Sequence, residues 1–453
     1  MMKSYLPVIA LQLSFNLFAT STTIVNENNI GEINFVQIIN SIALIYTDDR
    51  LDPIVEKFIN NQPEIIWEDN AYVYLWGMDI NTDSPYEIGK EILEKLLVED
   101  SLYNYERHPL DLSFLNDFSI HAIPENDLLC KKHKKECFEQ ITNNDEKVVL
   151  LLSEYGFYIP RYHSFLKFNH YKQIGDRRME SPVPNYRTII IAQNLYHISL
   201  LSNLEKQPEI ELIEALEKEL NQLKNKLKHA DTLIAKMIVL ALINENVEMI
   251  NYLHQKKKID LDTHLLVFKP FTPSQQSLYN AMYEELSKTL KHMFDLISEP
   301  NNFTKKKYKP ITVQLMKLIS FFVAKPNLTA NTVYNDYVTN LLYLTQLPSS
   351  EYYKEIEKPT IAINHDPIRN YMVYKLLDGI LPDYYEYQMR VFDINMKLQL
   401  MRLIIQSKST DKLKQSNEFL SSYDQTPSFK KNDKICYSGI AKMFPEFRCL
   451  IIY

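Results

Sequence analysis

The stretch 209–243 constrains this chain more than any other. Ile213, Leu216, Leu220, Leu223, Leu227, Ala230, Ile234, Met237 and Ala241 follow one another at alternating steps of three and four. That spacing draws one apolar seam along a helix for about four heptads. The first part, EIELIEALEKELNQLKNKLKH, is polar off the seam, so its back face meets water. From Ala230 the polar back is lost: ADTLIAKMIVLALI carries only Asp231 and Lys236 as charges. A helix that is apolar nearly all round has to be wrapped by neighbours. The spacing therefore predicts an amphipathic arm running into a central core rod, with other segments packed around it.

The covering segments also read as helices. Glycine occurs at only seven of 453 positions, while Leu, Ile, Lys and Glu are common. None of the glycines is spaced as G-x-G-x-x-G or as a P-loop, which excludes the folds that bring backbone close to phosphate through those motifs. The net charge of −7 argues against a nucleic-acid footprint. The short basic runs at 131–135, 256–258 and 305–307 read as solvated loop charges. A chain of this length holds two or three subdomains. The predicted class is all-α: a multi-helix bundle, or stacked αα-hairpins, around a long central helix.

Residues 1–21, MMKSYLPVIALQLSFNLFATS, combine a lysine, an apolar stretch and small residues, the layout of a signal peptide or membrane anchor. A buried first helix is the third reading, because Gln12, Ser14 and Asn16 interrupt the apolar run. The best later candidate for a membrane span, 311–324, is too short and holds Lys317. Residues 22–172 read as an N-terminal helical region, with a turn-rich aromatic stretch at 67–89 that carries both tryptophans. The segment QIGDRRMESPVPN, rich in Gly and Pro, marks an internal boundary. Residues 186–405 read as the central and C-terminal bundle: a helix over 186–204 precedes the central one, another starts near Val247, and a second heptad helix starts near Asp383. Residues 406–453 read as a polar mobile loop followed by a tail that bears two cysteines.

The four cysteines form two local pairs, Cys130 with Cys137 and Cys436 with Cys449. Disulfides would contribute roughly 2.5–3 kcal/mol each by the chain-entropy estimate. Free thiols are the alternative, and His133 between the first pair suggests part of a zinc site. Four lysines beside it and the absence of a nearby fourth ligand argue against that metal. No other metal site or cofactor motif is present. Two charges stand out on the central helix, and on the second heptad helix Glu386, Arg390, Asp393 and Lys397 lie three or four apart, as a charge ladder on one face. A buried lysine needs an acid or several acceptors. Asp231 is not on the face of Lys236, so Lys236 is expected to pair with Glu386 and Asp393, with Arg390 in the same structural network fixing the register of the two helices.

Four stretches, NAYVYLWG at 70–77, DTLIAKMI at 231–238, PNLTAN at 326–331 and the series Tyr384, Tyr387, Arg390 and Asp393, resemble an uncharacterised family of Gram-negative bacterial proteins. The CKKHKKEC segment is similar to its cysteine segment. The resemblance implies an N-terminal signal or anchor and a helical body outside the cytoplasm, and it brings no activity with it. The leader here is less apolar than that pattern implies.

Catalytic motifs are sparse. There is no H-E-x-x-H and no G-x-S-x-G. Asp262 with His264, and His365 with Asp366, come nearest to acid–base pairs and read as loop or cap residues. The expectation is a non-catalytic scaffold or partner-binding module of the cell envelope. It would be periplasmic, or anchored to the inner membrane and facing the periplasm, touching the membrane only through its N-terminal segment. A periplasmic hydrolase of cell-wall or carbohydrate substrates and a secreted factor acting on another cell are the alternatives.

Overall fold

The computed structural model describes residues 50–61, 64–102, 111–124, 128–129, 135–175, 182–261, 264–298, 326–356, 384–407, 420–426, 428–439 and 445–453. The leader, the expected helices at 311–324 and 367–380, Cys130, His133, Asp262, His365 and Asp366 lie outside the described residues. The described chain is mainly α-helical, with one small antiparallel sheet.

Helix α1 (Pro53–Ile59) starts where its sequence says it should. Asp52 caps it by accepting from the Ile54 amide, and Pro53 occupies the first turn. The aromatic stretch that reads as turns instead forms α2 (Ala71–Gly77), a helix whose every residue is buried. Asn70 makes this possible. Its side-chain oxygen accepts from the amides of Tyr72 and Lys172, and its amide group donates to the carbonyls of Ile66 and Lys172. One buried asparagine thus caps α2 and ties it to a strand-like pairing with His170. Helix α3 (Pro85–Leu102) crosses α2 at two glycines. A Cβ on Gly77 would lie 1.9 Å from the Pro85 carbonyl oxygen, and one on Gly89 would lie 2.0 Å from that of Val73. Only glycine allows backbones to approach so closely.

Helices α4 (Lys135–Thr142), α5 (Asp145–Tyr155) and α6 (Tyr158–Lys167) follow, and α7 (Tyr186–Ser202) packs across all three. Buried side chains on both sides of the 173–185 segment belong to one hydrophobic core.

The long seam is not a single rod. It is divided into α8 (Glu209–His229) and α9 (Leu233–Gln255), joined by three non-helical residues. Ala230 is extended and pairs with Tyr171, the Asp231 carboxylate accepts from the Gln173 amide, and Thr232 caps α9 by accepting from the Ala235 amide. The heptad spacing continues through Ala230, so periodicity alone hides the break. The Asp-Thr pair is the local signal for it, because such side chains offer backbone amides a non-helical partner. Folded back on each other, α8 and α9 form an antiparallel hairpin. Helix α9 also absorbs the separate helix expected from Val247.

After α9 come α10 (Tyr279–Ser298), α11 (Pro326–Val333), a π-helical turn at Tyr334–Val338, α12 (Thr339–Leu344), α13 (Ser349–Ile356) and α14 (Tyr384–Ser407). The expected 331–346 helix therefore starts five residues earlier and contains a π-turn. Part of the stretch that reads as a mobile loop is ordered instead. Strands β1 (Phe429–Lys431) and β2 (Lys434–Cys436) form a hairpin over Asn432, whose φ of 54° suits Asn, and β3 (Cys449–Ile451) pairs with β2. Among the described residues no helix is long and apolar enough to cross a membrane.

Candidate functional site

Most chemistry-bearing side chains gather along α9, on its two sides. On the first side, Glu219 projects from α8 into the core and is 2% exposed. Its Oε1 accepts from the Tyr162 hydroxyl at 2.6 Å and the Gln193 amide at 2.7 Å, and its Oε2 accepts from the Asn246 amide at 2.8 Å. Nε2 of His197 lies 3.2 and 3.0 Å from the two oxygens. Burial opposes the Glu219 charge. The His197 charge and the donors from His197, Tyr162 and Gln193 outweigh it and hold the carboxyl below its usual range. Both oxygens are occupied by partners from α6, α7 and α9, so the group ties four helices together instead of facing a substrate.

On the second side, α14 meets α9. Lys397 forms a 2.5 Å ion pair with Glu248 and also donates to the Asn244 side chain at 2.6 Å, with Lys397 and Glu248 only 1% and 2% exposed. Asn251 donates to Glu248 and to the carbonyl of Ile451 in β3. One turn before Lys397, the fully buried Asp393 accepts from the Tyr423 hydroxyl at 3.0 Å and faces the Arg448 guanidinium at 3.3 Å. Burial pushes the Asp393 carboxyl up to about 6, against the pull of Arg448 and Tyr423. Glu386 and Arg390 form an i,i+4 pair at 3.7 Å, and Arg390 stacks over the Tyr387 ring.

The expected network is only half assembled. Glu386, Arg390 and Asp393 do lie on one helix with structural partners. Lys236 does not reach them. It is 2% exposed, and its ammonium donates to the Leu227 carbonyl at 2.8 Å, at the C-terminal end of α8. Asp231 holds the Gln173 amide. The break at residues 230–232 turns α9 so that Lys236 faces the end of α8. The cation that joins α9 to α14 is Lys397, contributed by the second helix, and the acid is Glu248, contributed by the first. Sequence reading placed Lys397 on the α14 ladder but missed Glu248. That acid sits in NENVEMINY, where the spacing predicts the start of a new helix and the structure has the buried continuation of α9.

Lys224 and Lys226 share the situation of Lys236. Lys224 donates to the carbonyls of Val267 and Lys269, at 2.7 and 2.9 Å, and Lys226 donates to that of Phe168. Burial lowers these amines to about 8 and 7, and Lys236 to about 8.

At the surface, His264 Nδ1 lies 2.9 Å from Glu217 Oε1. Glu217 lines an open groove of about 540 Å³ between the end of α6 and the outer face of α8, together with Lys167, Asn169, Lys218, Asn221 and Asn225. A histidine oriented by a carboxylate can act as a general base. Among the described residues no cluster of three or more His, Cys, Asp or Glu is placed to hold a metal ion.

Cys436 and Cys449 form a disulfide between β2 and β3. Cys137 is disulfide-bonded as well, and its expected partner, Cys130, lies outside the described residues. Comparison with protein-family models, curated proteins and solved structures finds no match.

Proposed function

We propose that this chain is a non-catalytic helical protein of the cell envelope, periplasmic or anchored to the inner membrane facing the periplasm, that serves as a scaffold or binds a protein partner there. Membership of the Gram-negative family it resembles is part of the same reading. The observation that carries it is the oxidised state of the cysteines: Cys436–Cys449 is closed and Cys137 is bonded. Disulfides persist in oxidising compartments and are rare in the cytosol. The internal acids support the non-catalytic part, since Glu219, Glu248 and Asp393 are each engaged by partners from other elements. Alkaline phosphatase fused after Tyr453 should be active in a Gram-negative host. An inactive but well-expressed fusion would put the body in the cytoplasm and overturn the proposal.

The His264–Glu217 pair beside a polar groove favours a second reading, a hydrolase of cell-wall or carbohydrate substrates. Under that reading, purified protein releases soluble fragments from isolated cell-wall material or polysaccharide, and His264→Ala abolishes the release. No release by the wild-type protein counts against it.

A further inference from the structure

Residues 445–453 pin α9 and α14 from one side. The Glu446 carbonyl sits 3.5 Å from the Lys397 ammonium, and Arg448 reaches Asp393. Gly439 leaves room for that arginine, because a Cβ there would lie 2.8 Å from its Cδ. The Ile451 carbonyl accepts from Asn251 and Gln255 on α9, and the Tyr453 amide donates to Gln255. One short segment therefore covers Glu248–Lys397 and completes the surroundings of Asp393.

The disulfide, the three-residue β2–β3 ladder and the amides of Tyr437 and Ile452, which donate to the carbonyls of Arg448 and Asp433, secure this segment to the sheet. Each strand has only three residues, so the ladder is short, and β3 is the strand that packs on α9 and α14. Cys436 and Cys449 are directly opposed across β2 and β3. The neighbouring Tyr437 amide bonds the Arg448 carbonyl, so the cysteines occupy a non-hydrogen-bonded position with Cα atoms 4.1 Å apart. The sulfur bridge cross-links the strands at a step that carries no ladder bond of its own. Outside it, β1 is exposed along its whole length, so the hairpin can peel from that edge.

We propose that residues 445–453 are a latch over the buried ion pairs of α9 and α14, released by reduction of Cys436–Cys449. The reductant is a dithiol, small or protein-borne. One of its thiolates attacks a sulfur of the bridge, forming a mixed disulfide and freeing one protein thiolate, which takes up a proton. The second thiol of the reductant then displaces the other cysteine. The protein ends with two thiols and the reductant with one disulfide, a transfer of two electrons and two protons. With the cross-link gone, the opening equilibrium of the latch rises on the order of 100-fold, the chain-entropy effect for a loop of 13 residues. Opening uncovers Lys397, while Lys236, held under the far end of α9, stays covered.

The test uses the full oxidised chain and an amine-reactive ester with mass-spectrometric mapping, together with hydrogen exchange. Dithiothreitol under native conditions should reduce the bridge, accelerate exchange in residues 434–453 by 10- to 100-fold, and make Lys397 labelled while Lys236 remains unlabelled. The double variant Cys436→Ser/Cys449→Ser, which keeps the Cys137 bond, should show the same pattern without reductant. Full protection of 445–453 in the reduced wild-type protein would overturn the latch. So would a bridge that yields only in denaturant, or a double variant whose exchange rises throughout the chain, since the proposed release is local.

Discussion

At the α8–α9 corner, Lys224, Lys226 and Lys236 end on main-chain carbonyls, whereas at the α9–α14 interface Lys397 ends on a carboxylate. Both arrangements bury an amine almost completely. A carbonyl is a dipole and does not balance a full charge, so burial wins at the corner and lowers those amines to about 8, 7 and 8. The corner softens this by using the C-terminal end of a helix, where the Leu227 carbonyl that holds Lys236 carries partial negative charge. At the interface two opposite charges are committed to each other, and neither can leave without stranding its partner. The corner can thus release a proton and remain intact, while the interface holds a fixed pair.

The largest expected effect comes from breaking the fixed pair. Lys397→Ala should destabilise the fold by about 4 kcal/mol, because Glu248 is left buried without its cation. Lys397→Met combined with Glu248→Leu should recover most of that loss. Chemical denaturation of the two variants checks this, and a double variant as unstable as the single one would mean the loss is one of packing, not of charge.

A smaller effect follows from pH. The corner amines have folded-state pKa values below their unfolded value, so the folded state binds fewer protons between about 7 and 10, and stability rises with pH in that window. The slope approaches about 1 kcal/mol per pH unit where one amine dominates. Above about 10 the direction reverses. Buried tyrosines such as Tyr158 and Tyr437, raised by burial to about 12, remain protonated when folded but ionise when unfolded. Urea midpoints at pH 7, 8, 9 and 10.5 should climb and then fall. A flat profile from 7 to 9 would mean the corner amines keep their charge.

The smallest effect is expected for Lys236→Met. The thioether fills the same space without a charge to desolvate, and the loss of the bond to Leu227 opposes that gain, so stability should change by about 1 kcal/mol or less. A loss of 3 kcal/mol or more would place Lys236 with Lys397, in a pair that cannot be opened from one side.

These contrasts also define what the amino-acid order made legible. The helical class, the seam residues of α8 and the start of α14 near Asp383 follow from apolar spacing, because burial imposes that period directly. Past the break the same spacing misleads, since Ile234 is 44% exposed and Met237 and Ala241 are half-buried. The break at Asp231–Thr232 was written locally, in a capping pair, and was overridden by a heptad pattern that runs through it. Lys236 was correctly read as buried, but its partner depends on the direction α9 takes after the break, which no spacing encodes. The donors from α6, α7 and α9 lie up to 57 residues from Glu219 in sequence. Nothing in the local composition announces that Tyr162, Gln193, His197 and Asn246 converge on one carboxylate. The β1–β2 hairpin was signalled only by Lys-Asn-Asp-Lys between short strands, too brief for an alternating pattern to stand out.

Gly77 and Gly89 are two of only seven glycines in the chain, and the close helix crossing they permit makes them a recognition mark for this architecture. A carbonyl less than 2.1 Å from where each Cβ would sit leaves no residue able to replace either glycine unless the helices part. Drift in sequence can therefore rewrite the apolar residues around them far more freely than the pair itself. A chain that shares this fold but little else should still carry two glycines twelve positions apart, the first ending a short buried helix and the second in the opening turns of a longer one that begins with proline.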